Sequence, residues 1–382
     1  MINITRLLCG QATPGDSLRY SDASHQRPVV VWNVTRSCNL HCLHCYANAA
    51  ASPDPAELST TEGKALIDDL AQYRVPVVLF SGGEPLLRPD LMELVSYASQ
   101  KEVRPVLSTN GTLLTPQTAQ ELKKAGISYV GVSLDGLEAN HDRFRGKKGA
   151  FREALSGLAY CRQAGIRTGL RLTLTCFNAP ELPGIFQLLE EEGIDRLCFY
   201  HLVYAGRGSH LASWDLSTEA ARQAMDLIFD RSLDFQRRGL FKDILTVDNH
   251  ADGVYLYLNM LSQSSSRAEE VYKFLEKNGG NSSGVGIGAI DDRGDVHPDQ
   301  FWRHYSVGNI RQKPFSDLWQ NGHDPLLAGL RQRRERLKGR CGACKYISLC
   351  GGNFRVRAEA VSGDVWAPDP ACYLSDKEIG IA

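Results

Sequence analysis

The chain has 382 residues, of which 43% are hydrophobic and 23% are charged, and its formal net charge is −1. Such a chain can bury a sizeable core, and its length fits one barrel-sized domain with an extension, or two to three smaller domains. The near-zero charge, without a long run of Lys or Arg, argues against non-specific nucleic-acid binding. No stretch of about 18 apolar residues occurs, so a membrane-spanning helix is not expected, and the cytoplasm is the expected location.

Residues 28–214 alternate short apolar runs with amphipathic stretches, which is typical of a parallel α/β sheet. The predicted strands are Pro28–Val34, Val77–Phe80, Pro105–Ser108, Tyr129–Leu134, Thr168–Leu174 and Leu197–Tyr200. Helices are predicted after a capping box at Ser59–Glu62 and at Leu91–Gln100, Pro116–Ala125, Ala150–Ala164 and Glu181–Glu191. Right-handed crossovers would curl the strands into a partial (β/α)6, TIM-like barrel, with its chemistry at the C-terminal strand ends.

The flanking regions have a different character. Residues 1–27 are expected to form an N-terminal extension. Residues 215–284 hold two helix candidates, Leu216–Gly239 and Arg267–Asn278, and a glycine-rich break, so they predict a helical linker. A β-hairpin is then predicted from Val285 onward, with its turn near Gly294. This hairpin would open a C-terminal α+β module over residues 285–382.

Cys38, Cys42 and Cys45 form a C-x-x-x-C-x-x-C run directly after the first predicted strand. Three thiolates can hold a [4Fe–4S] cluster, which normally takes four, and they leave one iron free for a small molecule. Zinc is the alternative, with His41 or His44 as a fourth ligand, but the spacing is wrong for a zinc finger. A disulfide is disfavoured because the total of 11 cysteines is odd and no secretory apolar region follows the start.

With an aromatic residue after its last cysteine, this loop resembles that of the radical S-adenosylmethionine (SAM) superfamily. The resemblance implies that the open iron binds the amino and carboxylate groups of SAM. One electron, from an external donor of the flavodoxin or ferredoxin type, would then release a 5′-deoxyadenosyl radical. The protein positions such chemistry and keeps out water.

Polar motifs end the next predicted strands. Gly82, Gly83 and Glu84 match the GGE motif that contacts the amino group of SAM in this superfamily, although alone they would indicate only a glycine turn. Arg171 could pair with the SAM carboxylate, or lie at the rim of the core. The SAM-contact candidates that the resemblance implies are Tyr46, Gly82, Gly83, Glu84, Asn110, Ser133, Asp135 and Arg171.

Four further cysteines lie near the C-terminus: Cys341, Cys344, Cys350 and Cys372. They suit zinc or a second [4Fe–4S] cluster, but zinc ribbons pair two C-x-x-C units and only one is present here. The region resembles the SPASM and twitch extensions of radical SAM enzymes. Those extensions carry cysteines that flank the hairpin and another shortly after the C-x-x-C-x-x-x-x-x-C run. This chain has Asp299 and Gln300 where a cysteine would be expected, and Phe354 stands four positions after Cys350. The resemblance therefore implies one auxiliary [4Fe–4S] cluster, held by these four cysteines, beside the SAM-binding cluster.

Longer segments, including FYHLVYAGRG, DNHADGVYLYL and DPACYLSDKEIG, resemble radical SAM enzymes that trim sirohaem-derived tetrapyrroles. One branch removes two acetates from didecarboxysirohaem to give iron-coproporphyrin III. Its sibling removes two propionates on the route to heme d1. The run ITRLLCGQATPGDSLRY is more similar to the first branch. A SPASM-type peptide maturase and a non-catalytic iron–sulfur or zinc protein are the alternatives.

An iron tetrapyrrole that carries carboxylates would give several side chains a purpose. The implied reaction is hydrogen-atom abstraction from a peripheral side chain and C–C cleavage, with the auxiliary cluster exchanging an electron. Candidate partners for carboxylates are Arg207, Arg303, Arg355 and Arg357. The substrate-contact candidates are Tyr200, His201, Tyr204, Arg207, His250, His297 and His304. His250 and His297 lie in the most family-like segments and rank first, and packing is the alternative role for the aromatic residues.

Overall fold

The computed structural model describes residues 1–20, 27–320 and 323–381, so part of the predicted N-terminal extension lies outside the described residues. The strands are β1 Ile2–Asn3, β2 Val29–Asn33, β3 Val77–Ser81, β4 Arg104–Thr109, β5 Val130–Ser133, β6 Thr168–Leu174, β7 Arg196–His201, β8 Asp243–Val247, β9 Ile287–Ile290, β10 Asp295–His297 and β11 Gly308–Asn309.

Helices cover the sheet and the C-terminal region. They are α1 Ile4–Cys9, α2 Asp16–Arg19, α3 Thr60–Gln72, α4 Leu91–Gln100, α5 Pro116–Lys124, α6 Glu138–Arg145, α7 Ala150–Gln163, α8 Leu182–Glu191, α9 Thr218–Arg237, α10 Ala251–Ser262, α11 Ala268–Asn278, α12 Phe315–Gln320, α13 Pro325–Arg331, α14 Gly339–Gly342, α15 Ile347–Cys350, α16 Arg355–Ser362 and α17 Asp376–Ile379. No described helix is long and apolar enough to span a bilayer.

The six predicted strands form β2 to β7, which lie side by side and parallel in chain order. The capping box at the start of α3 is also present. The parallel array continues to β8, a strand that the sequence analysis did not predict within residues 215–284. All five residues of β8 are buried, so it lacks the apolar–polar alternation that marks a half-buried strand.

The C-terminal hairpin shares the barrel's sheet. β9 pairs in parallel with β2, and β10 pairs with β9 in antiparallel fashion. The first strand of the barrel is thus bonded on one side to β3 and on the other to a strand more than 250 positions later in the chain. This pairing places residues after β10 beside the interior of the barrel.

Helix α16 fastens the C-terminal region to the ends of β7 and β8. Arg357 is fully buried and forms a bidentate pair with Asp369, at 2.8 and 2.9 Å. Its Nη1 atom donates to the carbonyl of Leu202, and its Nη2 atom, which also bonds to Asp369, donates to the carbonyl of Asp248, both at 2.9 Å. Arg355, equally buried, donates to carbonyls of its own region, including Ala367. Arg355 and Arg357, two of the four predicted carboxylate partners, are therefore internal clamps, because their guanidinium groups bond to the chain itself.

Candidate active site

The loop that carries Cys38, Cys42 and Cys45 begins at the C-terminal end of β2 and packs on the end of β3. The amide of Gly83 donates to the carbonyl of Thr35, and that of Glu84 donates to the carbonyl of Ser37, both at 2.7 Å. A Cβ atom at Gly83 would collide with the Ser37 carbonyl oxygen. The two glycines of the GGE motif thus allow close approach of this loop.

The three cysteines of this loop line a cavity of about 200 Å³ at the C-terminal strand ends. Backbone amides donate to two of the sulfurs: Leu40 to Cys38 at 3.4 Å and Ala49 to Cys45 at 3.5 Å. Burial raises the pKa of Cys38 to about 12 and also raises that of Cys42. Because metal ligands are thiolates, cluster binding here would release protons.

The donor set fits a [4Fe–4S] cluster. Cys38, Cys42 and Cys45 come from one loop and line one cavity, as the thiolate ligands of a single cluster must. When bound, such a cluster supplies an electron, and SAM on its open iron supplies the radical.

A buried charge network surrounds Cys42. Arg145 donates to the Cys42 sulfur at 3.5 Å and forms an ion pair with Asp135. His44 also pairs with Asp135, at 3.2 Å. Although burial opposes it, Arg145 and His44 hold the pKa of Asp135 well below its usual range. Asp135 therefore balances the cation that contacts the Cys42 sulfur, and its role as a SAM contact stays a prediction.

Glu84 is fully buried, and its carboxylate is occupied by the chain. It accepts hydrogen bonds from the Thr109 hydroxyl at 2.7 Å and from the Asn110 amide at 2.8 Å. Burial raises its pKa to about 7. Glu84 is not among the described residues that line the cysteine cavity, whereas Gly82 and Gly83 are. A contact of the Glu84 carboxylate with SAM stays a prediction, and the carboxylate visibly joins the ends of β3 and β4.

The remaining SAM candidates are brought together at the same cavity. Tyr46, Asn110, Ser133 and Arg171 all line it. The Tyr46 hydroxyl bonds to the Asn33 side chain at 3.1 Å, and Arg171 donates to the Ser108 hydroxyl at 2.6 Å. These contacts hold both side chains in the wall of the cysteine cavity.

A larger cavity of about 1370 Å³ occupies the interior of the barrel, and we call it the interior cavity. Its apolar wall includes Val29, Val31 and Val77 of β2 and β3. Arg171, Tyr200, Asp248 and Gln300 line both this interior cavity and the cysteine cavity, so the two adjoin. Asp299 and Gln300, where the SPASM resemblance expects a cysteine, and Phe354, near which it expects another, all line the interior cavity.

The four C-terminal cysteines are brought together next to this interior cavity. Burial and the closeness of Cys372, Cys341 and Cys344 raise the pKa of Cys350 well above its usual value. Gly280 lines the cavity, and a Cβ there would collide with the Cys350 carbonyl. The wall of the cavity is therefore one backbone thickness from the candidate auxiliary site.

Comparison with known proteins decides the family. The radical SAM superfamily matches residues 32–189. Fe-coproporphyrin III synthase of Methanosarcina barkeri is 54% identical over 100% of this chain and 99% of its own length. Pre-heme d1 synthase of Dinoroseobacter shibae is 46% identical over 93% of this chain and 88% of its own length. The chain belongs to the radical SAM superfamily.

The predicted fold is confirmed as well. Streptococcus suis SuiB, solved with its precursor peptide SuiA, superposes with a TM-score of 0.72 at 19% identity, covering 92% of this chain and 76% of SuiB. The prediction of a radical SAM enzyme in tetrapyrrole biosynthesis is confirmed by the named relatives. SAM and a [4Fe–4S] cluster are the cofactors of this superfamily, and the auxiliary cluster stays a prediction.

The substrate candidates of this radical SAM enzyme separate into groups. His250 and Tyr200 line the interior cavity, and His201 and Arg207 line the cysteine cavity. Tyr204 and His304 instead line a third cavity of about 790 Å³, which Arg303 also borders. His297 lines none of these three cavities.

Hydrogen bonds refine this division. Arg207 donates to the carbonyls of Cys42 at 2.8 Å and Ala49 at 2.9 Å, and so supports the cysteine loop. His201 bonds to Asp252 at 3.0 Å, and His297 to the Tyr305 carbonyl at 2.7 Å. Nδ1 of His250 is buried without a partner among the described residues. His250 is therefore the best placed of the four histidines, and the substrate role of each stays a prediction.

Sequence reasoning missed Arg145, Asp248 and the arginines of the interior cavity. Asp248 follows the unpredicted β8, and the polar run after the apolar run Ile244–Val247 was the available signal. Arg145 ends an amphipathic helix, where a basic residue is ordinary. Only the tertiary structure brings it to the Cys42 sulfur.

Proposed function

We propose that this enzyme removes two acetate side chains from didecarboxysirohaem to give iron-coproporphyrin III. The observation that supports this best is the interior cavity of about 1370 Å³, which adjoins the cysteine cavity. Pockets for small molecules are typically 300–1,000 Å³, so this one suits a ligand of tetrapyrrole size. A relative of 54% identity bears the name Fe-coproporphyrin III synthase.

The two cysteine groups lie on different sides of this cavity. Cys38, Cys42 and Cys45 border it through the shared residues Arg171 and Tyr200, and Cys350 borders it through Gly280. A substrate held between them would meet the radical on one side and an electron acceptor on the other. Phe354, near which the resemblance expects a further cysteine, lines this cavity and offers the substrate an apolar surface.

His250 is our candidate ligand for the substrate's iron. It lines the interior cavity, and burial lowers its pKa well below the usual value. The imidazole is therefore neutral at pH 7, which is the form that binds iron. Its Nε2 atom lies 3.1 Å from the Met1 amine, so Nδ1 is the nitrogen left for the iron. In His201, Asp252 occupies Nε2 and, although burial opposes it, raises the pKa of the ring.

The chain's own residues would prepare the reaction. Arg145 holds the Cys42 sulfur, Arg207 holds the loop backbone, and Arg171 lies where the two cavities meet. The radical supplied by SAM would abstract a hydrogen atom from a peripheral side chain before C–C cleavage. We further propose a flavodoxin- or ferredoxin-type electron donor and a cytoplasmic location.

Anaerobic reconstitution tests the proposal. The protein, loaded with iron and sulfide, is incubated with SAM, dithionite and didecarboxysirohaem, and the tetrapyrrole is analysed by mass spectrometry. We expect 5′-deoxyadenosine and a product that has lost two acetates. An unchanged tetrapyrrole in protein that releases 5′-deoxyadenosine would refute the proposal.

Removal of two propionates is the second candidate function. It is favoured by the 46% identity to pre-heme d1 synthase over 93% of this chain. The same incubation separates the two reactions, because the loss of two propionates gives a different product mass.

A further inference from the structure

Three arginines stand at the N-terminal strand ends, opposite the cysteine loop. Arg104 is the first residue of β4, Arg196 is the first residue of β7, and Arg167 directly precedes β6. All three line the interior cavity, and we call them the mouth arginines. From Arg104 to Ser108, along β4, the chain rises ~13 Å. The mouth arginines therefore lie about the width of a tetrapyrrole away from the cysteine cavity, which Ser108 lines.

The guanidinium groups of two mouth arginines have no hydrogen-bond or ion-pair partner in the described structure. Arg196 pairs with Asp243 at 3.5 Å and lies over the ring of Tyr129, 5.0 Å from its centre. The side chains of Arg104 and Arg167, both exposed residues, make no hydrogen bond or ion pair with another described residue. Burial and then the neighbouring Arg167 lower the pKa of Arg104. These two guanidinium groups are thus crowded by like charge.

Apart from Lys277, which is exposed, the other cations of the interior cavity already have partners among the described residues. Arg171 donates to Ser108, and Arg333 donates to the carbonyls of Gly279 and Gly351. Among the described residues, the lining holds nine arginines and one lysine against six carboxylates. The excess positive charge is therefore free chiefly where Arg104 and Arg167 stand.

We propose that Arg104 and Arg167 bind carboxylates of the tetrapyrrole that the enzyme retains, and so orient the macrocycle. This inference rests on the proposed function. The side chain that is cut must face the cysteine loop, so carboxylates on the opposite side of the ring point toward the mouth. A planar guanidinium binds a carboxylate through two parallel hydrogen bonds.

The test measures binding of iron-coproporphyrin III, titrated anaerobically and followed by its visible spectrum. R104Q/R167Q is expected to weaken binding by roughly tenfold for each arginine. R104K/R167K keeps the charge but loses the two parallel hydrogen bonds of the guanidinium, so its affinity should lie between those of the wild type and R104Q/R167Q. R237Q changes an exposed arginine of α9 and should bind like the wild type.

Release of 5′-deoxyadenosine without tetrapyrrole should stay unchanged in every variant, because the mouth lies away from the cysteine loop. If R104Q/R167Q also loses this activity, the binding of iron-coproporphyrin III is measured in the single variants R104Q and R167Q. Wild-type affinity in both single variants overturns the inference. Equal affinity in the wild type and in active R104Q/R167Q overturns the inference and leaves the proposed function intact.

A wild type that binds no tetrapyrrole overturns both ideas. The arginines could instead dock an acidic electron-donor protein. Slower reduction by flavodoxin, with tetrapyrrole affinity unchanged in R104Q/R167Q, would assign them to that partner and overturn the inference.

Discussion

Asp248 stands at the junction of the two cavities in an unusual backbone conformation. Its φ angle is 66°, in the left-handed region that side chains rarely adopt. One carboxylate oxygen, Oδ2, is buried without a hydrogen-bond partner among the described residues. Burial, and then the charge of Asp299, raise its pKa to about 7. Strained, unsatisfied groups of this kind cluster at functional sites.

Asp248→Asn should make the protein more stable at high pH. The folded-state pKa of about 7 lies above the ordinary value of 3.8, so the native carboxyl keeps its proton where the unfolded one has lost it. The free-energy cost of burying this group as a carboxylate is therefore absent below pH 4, and it grows until the pH passes 7. Asparagine tolerates this backbone conformation, and we expect a gain of up to about 4 kcal/mol at pH 8.

Thermal unfolding of wild type and Asp248→Asn at pH 5 and pH 8 checks this prediction. The difference in Tm should be larger at pH 8. A difference independent of pH would mean that the carboxyl does not titrate in this range. If Asp248 also transfers a proton during turnover, the variant should lose tetrapyrrole turnover by about a hundredfold while uncoupled 5′-deoxyadenosine release persists.

His250→Ala tests the candidate iron ligand. Removal of the imidazole should shift the visible and electron paramagnetic resonance spectra of bound iron-coproporphyrin III. His297→Ala is the matched control, because that ring is buried, bonded to Tyr305, and outside the three cavities. If both variants give the wild-type spectrum, another group ligates the iron.

At the scale of elements, the local pattern predicted β2 to β7 within two residues at each end. Each of these strands is a run of apolar or β-branched residues followed by a polar motif at its C-terminal end. β8 was missed because its five residues are all buried and follow a long helix, α9. The pairing of β9 with β2 was also missed, since the two strands are far apart in the chain.

In the candidate site too, local sequence patterns predict what lies on one segment but not contacts between distant segments. All three cysteines of the loop converge on one cavity as the spacing indicates. Arg357, however, was interpreted as a carboxylate partner for the substrate. Its true partners, Asp369, Leu202 and Asp248, come from three distant segments. A single buried arginine carries no local signal that distinguishes an internal clamp from a ligand site.

The glycine-rich segment before β9 gives an element-scale prediction. Gly280 has a φ of 78°, and a Cβ there would collide with the Cys350 carbonyl. Gly280→Ala should therefore displace Cys350 and lose the auxiliary cluster, with about half the iron. Gly363→Ala, with a φ of 71° but open space around it, is the control for backbone strain alone. Equal iron in Gly280→Ala and wild type would contradict the assignment.

At the scale of the whole molecule, one sheet joins the two cysteine groups. β2 leads into the cysteine loop, and β9, bonded to it, opens the region that ends at Cys372. The interior cavity lies between the groups, and residues that replace the expected cysteines line it. We infer that loss of one cluster made space for a large substrate while the remaining auxiliary cluster kept contact with it.

This arrangement predicts that the two cysteine groups serve separable steps. Cys344→Ser should lose about half the iron, keep release of 5′-deoxyadenosine, and form no deacetylated tetrapyrrole. Cys42→Ser should lose 5′-deoxyadenosine release altogether, because it removes one of the three thiolates that would hold the SAM-binding cluster. Cys161→Ser, at a buried helix position outside both groups, controls for the loss of a thiol. Iron content, 5′-deoxyadenosine and product mass are measured on the same samples. Full turnover by Cys344→Ser would show that the auxiliary site is dispensable, and abolished 5′-deoxyadenosine release in that variant would show that the two sites do not act separately.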